Sequence, residues 1–148
     1  MPTLATNKRA YHDYHVLEEY EAGIVLAGPE VKSAKLGHMS LQGGYVSTHN
    51  GQLRLLNTHI SKYPRSQNHV LDPIRERSLI MRRKEIDSLI GKEHSQGLTI
   101  VPLSVYTKGG FIKVKLGLCR GKKQFDKRAA IKKRETDRDI QRALRQKA

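Results

Sequence analysis

The stretch after Lys108-Gly109-Gly110 constrains the fold most: Ile112, Val114, Leu116 and Leu118 alternate with Lys113, Lys115 and Gly117. A period of two puts the aliphatic side chains on one side of an extended strand and the lysines on the other. The strand is therefore predicted to lie in a sheet with one buried face and one basic face. Residues 98–107 and 111–119 surround the glycines and are predicted to pair as a hairpin. A second hairpin is predicted from residues 45–49 and 52–56, which flank Asn50-Gly51, a dipeptide that tolerates the positive φ angles of a type I′ turn. Residues 14–26 also read as extended, with a bulge or sharp bend expected at Glu21-Ala22-Gly23.

Two short helices interrupt this pattern. Pro29 and Gly37 bracket residues 30–36, with proline at the start and glycine just past the end. Residues 82–95 carry Ile86, Leu89 and Ile90 at helical spacing and stop before Gly97, although Gly91 inside costs about 1 kcal/mol against alanine. Together these elements predict a mainly β domain over residues 1–120. About six strands would close into an antiparallel barrel of the oligonucleotide-binding kind, with two to three peripheral helices. An open α+β sheet is the alternative.

Charge narrows the choice of partner. Twenty-eight Lys and Arg against fourteen Asp and Glu leave a formal net charge of +14 in 148 residues, a strong self-repulsion unless a polyanion is near. No basic amphipathic helix rich in Leu, Phe or Trp accompanies the charge, so nucleic acid is favoured over a membrane surface. Half the excess, +7, sits in residues 121–148, a tail distinct from the body. Residues 129–144 contain good helix formers, but Ile131, Ile140 and Leu144 make only a thin apolar line, so the tail is expected to order as a helix only on an RNA surface. The first twenty residues lack an apolar leader segment and no apolar run is long enough to span a membrane, which points to the cytoplasm. A single cysteine, Cys119, allows neither an internal disulfide nor a cysteine-based zinc site, and no cofactor or metal is expected.

With no tryptophan and two phenylalanines, the chain is poorly supplied for stacking a track of unpaired bases, so recognition of a structured RNA through phosphates and shape is favoured. If roughly six basic groups meet phosphates, affinity should fall on the order of a thousandfold between 50 and 200 mM salt. A metal-free ribonuclease built from His12, Asp13, His49 or His59 is the enzymatic alternative, but no nucleophile elbow, phosphate loop or metal-ligand spacing supports it, and the chain is not expected to be an enzyme. A general structured-RNA-binding or ribosome-associated protein is the alternative within binding functions.

A set of collinear motifs points further. Asn7-Lys8-Arg9-Ala10-Tyr11-His12-Asp13-Tyr14, Tyr20-Glu21-Ala22-Gly23-Ile24 and Gly28-Pro29-Glu30-Val31-Lys32-Ser33 open it. Asn57-Thr58-His59-Ile60-Ser61-Lys62-Tyr63, Asp72-Pro73-Ile74-Arg75-Glu76-Arg77 and Gly97-Leu98-Thr99-Ile100-Val101-Pro102-Leu103 continue it, and Lys113-Val114-Lys115-Leu116-Gly117 and Gly121-Lys122-Lys123-Gln124-Phe125-Asp126-Lys127-Arg128 complete it. In this order they resemble the SsrA-binding proteins over roughly residues 7–128, and more loosely through the tail. Departures are small: Lys35 and Arg120 exchange one cation for another, Ser78 replaces a frequent lysine, and Thr136 replaces an aromatic residue of some members.

The resemblance implies an oligonucleotide-binding barrel that grips the transfer-RNA-like domain of transfer-messenger RNA and, with elongation factor Tu on the charged RNA, accompanies it to stalled ribosomes. The protein's tail would enter the vacant messenger channel as a helix; apart from the resemblance, a monomer is the default expectation. Glu21 matches the family's RNA-site carboxylate, and Lys113 and Ile80 match RNA-binding positions, although Ile80 suits a core as well. Asn7, Lys8 and Arg9 fit phosphate contacts. Lys32 and Lys35, one helical turn apart, fit RNA contacts and plain surface lysines equally, and His59 fits either an RNA donor or a structural histidine. Lys122, Lys123, Asp126, Lys127 and Arg128, followed by Lys132, Lys133 and Arg134, make up the tail expected to meet ribosomal RNA.

Overall fold

The computed structural model describes residues 2–63 and 72–122. These run in the order β1 (Thr3–Thr6), α1 (Lys8–Asp13), β2 (Tyr14–Ile24), α2 (Gly28–Lys35), β3 (Met39–Ser40), β4 (Tyr45–Ser47), β5 (Arg54–Leu56), β6 (His59–Ile60), β7 (Arg77–Ile80), α3 (Arg83–Gln96), β8 (Thr99–Lys108) and β9 (Phe111–Gly121). Both glycine turns form as their sequences require. Lys108 pairs with Phe111 across Gly109 and Gly110, whose φ angles are 58° and 81°. Asn50 and Gly51 take φ angles of 57° and 70°, and the Gln52 amide closes that turn onto the His49 carbonyl at 3.2 Å. The β4–β5 ladder begins only at Ser47 and Arg54, so these strands are shorter than their sequence suggests.

Seven strands form one antiparallel sheet in the order β1-β8-β9-β2-β7-β5-β4, and β3 pairs separately with β6. The sheet curls until β4 packs beside β8, but no ladder joins them, so the expected closed barrel is not formed. Proline chemistry accounts for the gap. Pro102 of β8 abuts Gly44, the residue before β4, and has no N–H to give, while its carbonyl already accepts a 2.9 Å hydrogen bond from Asn7 Nδ2. The next carbonyl, of Leu103, is taken by the Asn7 amide at 2.8 Å.

Strand β2 differs from expectation in where it bends. Glu21, Ala22 and Gly23 run in register against Lys115, Val114 and Lys113, and the irregularity lies between Val16 and Glu18, leaving Leu17 unpaired and exposed. Gly23 is instead the point at which β2 passes between neighbours, opposite Lys113 on one side and Ile80 on the other.

The alternation of β9 is realised on its inner face, where Ile112, Val114, Leu116 and Leu118 join Leu55, Leu89, Ile100 and Val105 in the main core. Leu89 is fully buried and docks α3; burial of that side chain contributes about 1.5–3 kcal/mol. Gly97 ends the helix in the left-handed conformation, as its sequence position predicts. The outer face is basic only toward Phe111. Toward Gly121 it is covered by α1, forming a second cluster of Ala10, Val101, Leu103 and Cys119. Here Gly117 is needed, since a Cβ would lie 2.9 Å from Leu103 Cδ1.

Helix α1 has no apolar periodicity and escapes sequence analysis; it is held by its N-cap. Asn7 Oδ1 accepts from the Ala10 amide at 3.2 Å while Nδ2 reaches the carbonyls of Pro102 and, at 3.4 Å, Leu41. A second polar device fixes α2. Glu30 accepts from the Ala27 amide and from both Arg75 and Arg77, and Arg77 also donates to the carbonyls of Thr58 at 2.7 Å and Pro73 at 2.9 Å. Burial pushes the Glu30 carboxyl up, but the bonds from Arg75, Ala27 and Arg77 outweigh it and hold the group below the usual carboxylate range.

Candidate nucleic-acid interface

The antiparallel pairing of β2, β9 and β8 sets Glu21, Lys115 and Ser104 in one cross-strand row and Gly23, Lys113 and Tyr106 in the next, all on the outer face. Glu21 is not a loose acid among cations. The Tyr106 hydroxyl donates to its Oε2 at 2.5 Å, and Lys108 Nζ lies 3.4 Å from both carboxylate oxygens. The Tyr106 bond first, then Lys108, lower the Glu21 pKa against some desolvation. Burial and the same carboxylate raise that of Tyr106, so its proton stays in place as a donor. Glu21 thus fixes the tip of the β8–β9 hairpin while keeping lone pairs toward solvent.

Next to this row, a cleft of about 430 Å³ is lined by Gly23, Ile24, Leu26, Val31, Ile80, Phe111 and Lys113 among its walls. Ile80 is 61% exposed; it is the preceding residue, Leu79, that enters the core. Lys113 Nζ stands 5.9 Å from the Phe111 ring centroid. Lys35 shares a neighbouring groove with Lys108, Gly109 and Gly110, so α2 brings a further cation to the hairpin tip. Lys32, also exposed, lies 5.5 Å from the Tyr63 ring centroid. Glu21, Lys35, Ile80 and Lys113 therefore converge at one end of the sheet.

The remaining expected contacts lie elsewhere. Lys8 and Arg9 are exposed on α1, with Arg9 3.4 Å from Asp13. Asn7, their neighbour, is buried and its amide is committed to the fold, so it presents the two cations instead of meeting a phosphate itself. Lys122 joins this end: its amide donates to Asp13 O at 2.9 Å and its Nζ to Tyr11 O at 3.1 Å. Lys113 and Lys122 are separated by most of β9, about 30 Å of extended chain. His59 is exposed on β6, paired with Ser40, outside both groups. Lys123, Asp126, Lys127, Arg128, Lys132, Lys133 and Arg134 lie outside the described residues.

Sequence reasoning missed three members of the hairpin-tip group: Phe111, Tyr106 and Lys108. Phe111 carried a usable signal, because it shares the odd-numbered phase of Lys113 and Lys115 and so belongs to the solvent face. Of the ribonuclease candidates, His12 Nδ1 is 3.0 Å from Asp13 Oδ1, while His49 and His59 sit on other elements. No cluster of three or more metal-ligating side chains gathers among the described residues, and no helix among them is long and apolar enough to cross a membrane.

Residues 4–146 match the family model described as SmpB protein. The chain is 49% identical over 142 residues to the SsrA-binding protein of Carboxydothermus hydrogenoformans, covering 96% of this chain and 95% of that one. It is 46% identical over 144 residues to the SsrA-binding protein of Geobacillus kaustophilus, covering 97% and 93%. Among solved structures, a chain from the work described as "tmRNA-SmpB: a journey to the center of the bacterial ribosome" is similar with a TM-score of 0.67 and 44% identity, over 80% of this chain and 84% of the other.

Proposed function

The chain belongs to the SmpB protein family, and on that premise we propose that it binds transfer-messenger RNA and works with it in trans-translation on the ribosome. The observation that carries this reading is the match along nearly the whole chain to SsrA-binding proteins, joined to a fold with a cationic surface at each end of β9. One end gathers Glu21, Lys35, Ile80 and Lys113 and faces the RNA's transfer-RNA-like domain. The other carries Lys8, Arg9 and Lys122 where residues 123–148 begin, and these contact ribosomal RNA. The curled sheet serves as an oligonucleotide-binding-type scaffold, with Lys32 and His59 flanking the RNA. The protein acts as a cytoplasmic monomer, meets elongation factor Tu only through the charged RNA, and binds without performing chemistry of its own.

Competition gel shifts test the reading. Full-length protein should prefer transfer-messenger RNA strongly over bulk single-stranded RNA at 150 mM salt; equal retention of both would reduce it to a general RNA-coating protein.

A further inference from the structure

We propose that Phe111 is a stacking platform for one unpaired base of the bound RNA, with Lys113 and Lys108 holding the phosphates that flank it. The proposal rests on the RNA-binding reading above and deepens it. Phe111 is the most exposed large hydrophobic side chain among the described residues, at 70%. It follows Gly109-Gly110 directly, so neither turn residue carries a side chain that could shield its ring. Its partners in strand phase are Lys113 and Lys115, not the core, and Lys113 Nζ already rests near the ring face. Ile80 and Gly23 line the same cleft, giving a slot with an aromatic and an aliphatic wall.

The occupant follows from charge and shape together. A protein partner that covered this ring would also have to desolvate the Lys108 and Lys113 ammonium groups, an unfavourable step without matched anions. A nucleotide supplies a planar π-face for the ring and a phosphate for the ammonium groups at once. Only one base is held in this way. Among the described residues the other exposed aromatic side chains, Tyr11 and Tyr45, belong to α1 and β4 and do not line this cleft, so those residues offer no second stacking platform beside Phe111.

The chain contains no tryptophan, so Phe111→Trp introduces a single indole at the site. Titrating that variant with transfer-messenger RNA should quench the indole emission with saturation at one RNA per protein. In gel shifts, Phe111→Ala should weaken binding about tenfold to a hundredfold, Phe111→Tyr should stay near wild type, and Phe111→Leu, apolar but without a π-face, should resemble the alanine variant. Because Phe111 stands outside the core, all four variants should keep the wild-type melting temperature. Binding of Phe111→Ala within twofold of wild type, full affinity in Phe111→Leu, or an unquenched indole in a complex seen by gel shift would overturn the stacking role alone. A wild-type protein that fails to bind the RNA would overturn the parent reading as well.

Discussion

Glu30 and Arg77, forty-seven positions apart, meet as a carboxylate and guanidinium 2.8 Å apart with side-chain exposures of 5% and 0%. The pair joins two of the motifs that mark the chain, the one that opens α2 and the one that leads into β7. Both motifs look functional in the sequence because they are charged and distinctive. Three of their charges, on Glu30, Arg75 and Arg77, instead face each other and fix the frame on which surface residues such as Lys32 are mounted.

Removing one partner should therefore cost more than removing a surface pair. Arg77→Met leaves Glu30 with fewer donors, the Thr58 carbonyl without its guanidinium partner and the Pro73 carbonyl with the Ile60 amide alone, a loss of about 3–5 kcal/mol. Urea denaturation monitored by circular dichroism measures it. For contrast, Arg54→Met breaks the half-exposed Arg54–Glu76 pair and should lose no more than about 1 kcal/mol.

The same carboxylate gives an acid dependence of known sign. The folded-state pKa of Glu30 is depressed below its ordinary 4.5, so its contribution is complete above that pH and is lost as pH falls through the depressed value. Glu18 and Glu21 are lowered too, which makes a difference measurement necessary. Urea midpoints at pH 6 and pH 3.5 should drop further in the wild type than in Glu30→Gln; parallel drops would remove Glu30 from the acid response.

Asn7→Ala should destabilise the fold without a selective effect on RNA. It removes the α1 cap, about 0.5–2 kcal/mol, and strips the buried Pro102 carbonyl of its donor. Hydrogen exchange should quicken first in α1, and RNA affinity corrected for the folded fraction should stay near wild type. A specific affinity loss in fully folded protein would make Asn7 a contact after all.

Two glycines should respond in opposite directions. A Cβ on Gly44 would stand 2.6 Å from Thr58 Cγ2 and 3.0 Å from Leu41 O, so Gly44→Ala should lose about 1–3 kcal/mol through overpacking. Gly91 in α3 has nothing within 4 Å of such an atom, and Gly91→Ala should gain about 0.5–1 kcal/mol. Thermal melts of the two variants check both signs.

Charge at the two ends of β9 should be separable. Lys113→Met should lower transfer-messenger RNA affinity and reduce the slope of log affinity against log salt by about 1. Truncation after Lys122 keeps that residue's tie to α1 and should preserve RNA binding while abolishing ribosomal tagging of stalled peptides. Equal loss of binding and tagging would refute this division of roles.

Local periodicity made much of the fold legible. The two glycine turns, the inner face of β9, α2 and α3 depend on residues within a few positions of one another, and each appears close to where the sequence puts it. The open seam beside Pro102 was hidden because it depends on Asn7, ninety-five positions away, occupying a carbonyl. The bend expected at Gly23 was misplaced because glycine signals freedom and not its use, whereas the extra residue, Leu17, has no distinguishing chemistry. At the candidate site, Lys113, Glu21 and Lys35 were readable as charges. The Glu21–Tyr106 bond, which joins strands separated by β9, was not.

The β2–β9 pair also works as a measuring rod with coarse stops. Each residue adds about 3.3 Å, and loss of one residue between Lys113 and Gly121 would turn lysines inward and aliphatic side chains outward beyond the cut. In a regular ladder paired insertions or deletions keep the faces, so the distance between the two cationic ends changes in steps of about 7 Å. A single extra residue is accommodated where it can bulge out of the ladder, as Leu17 does.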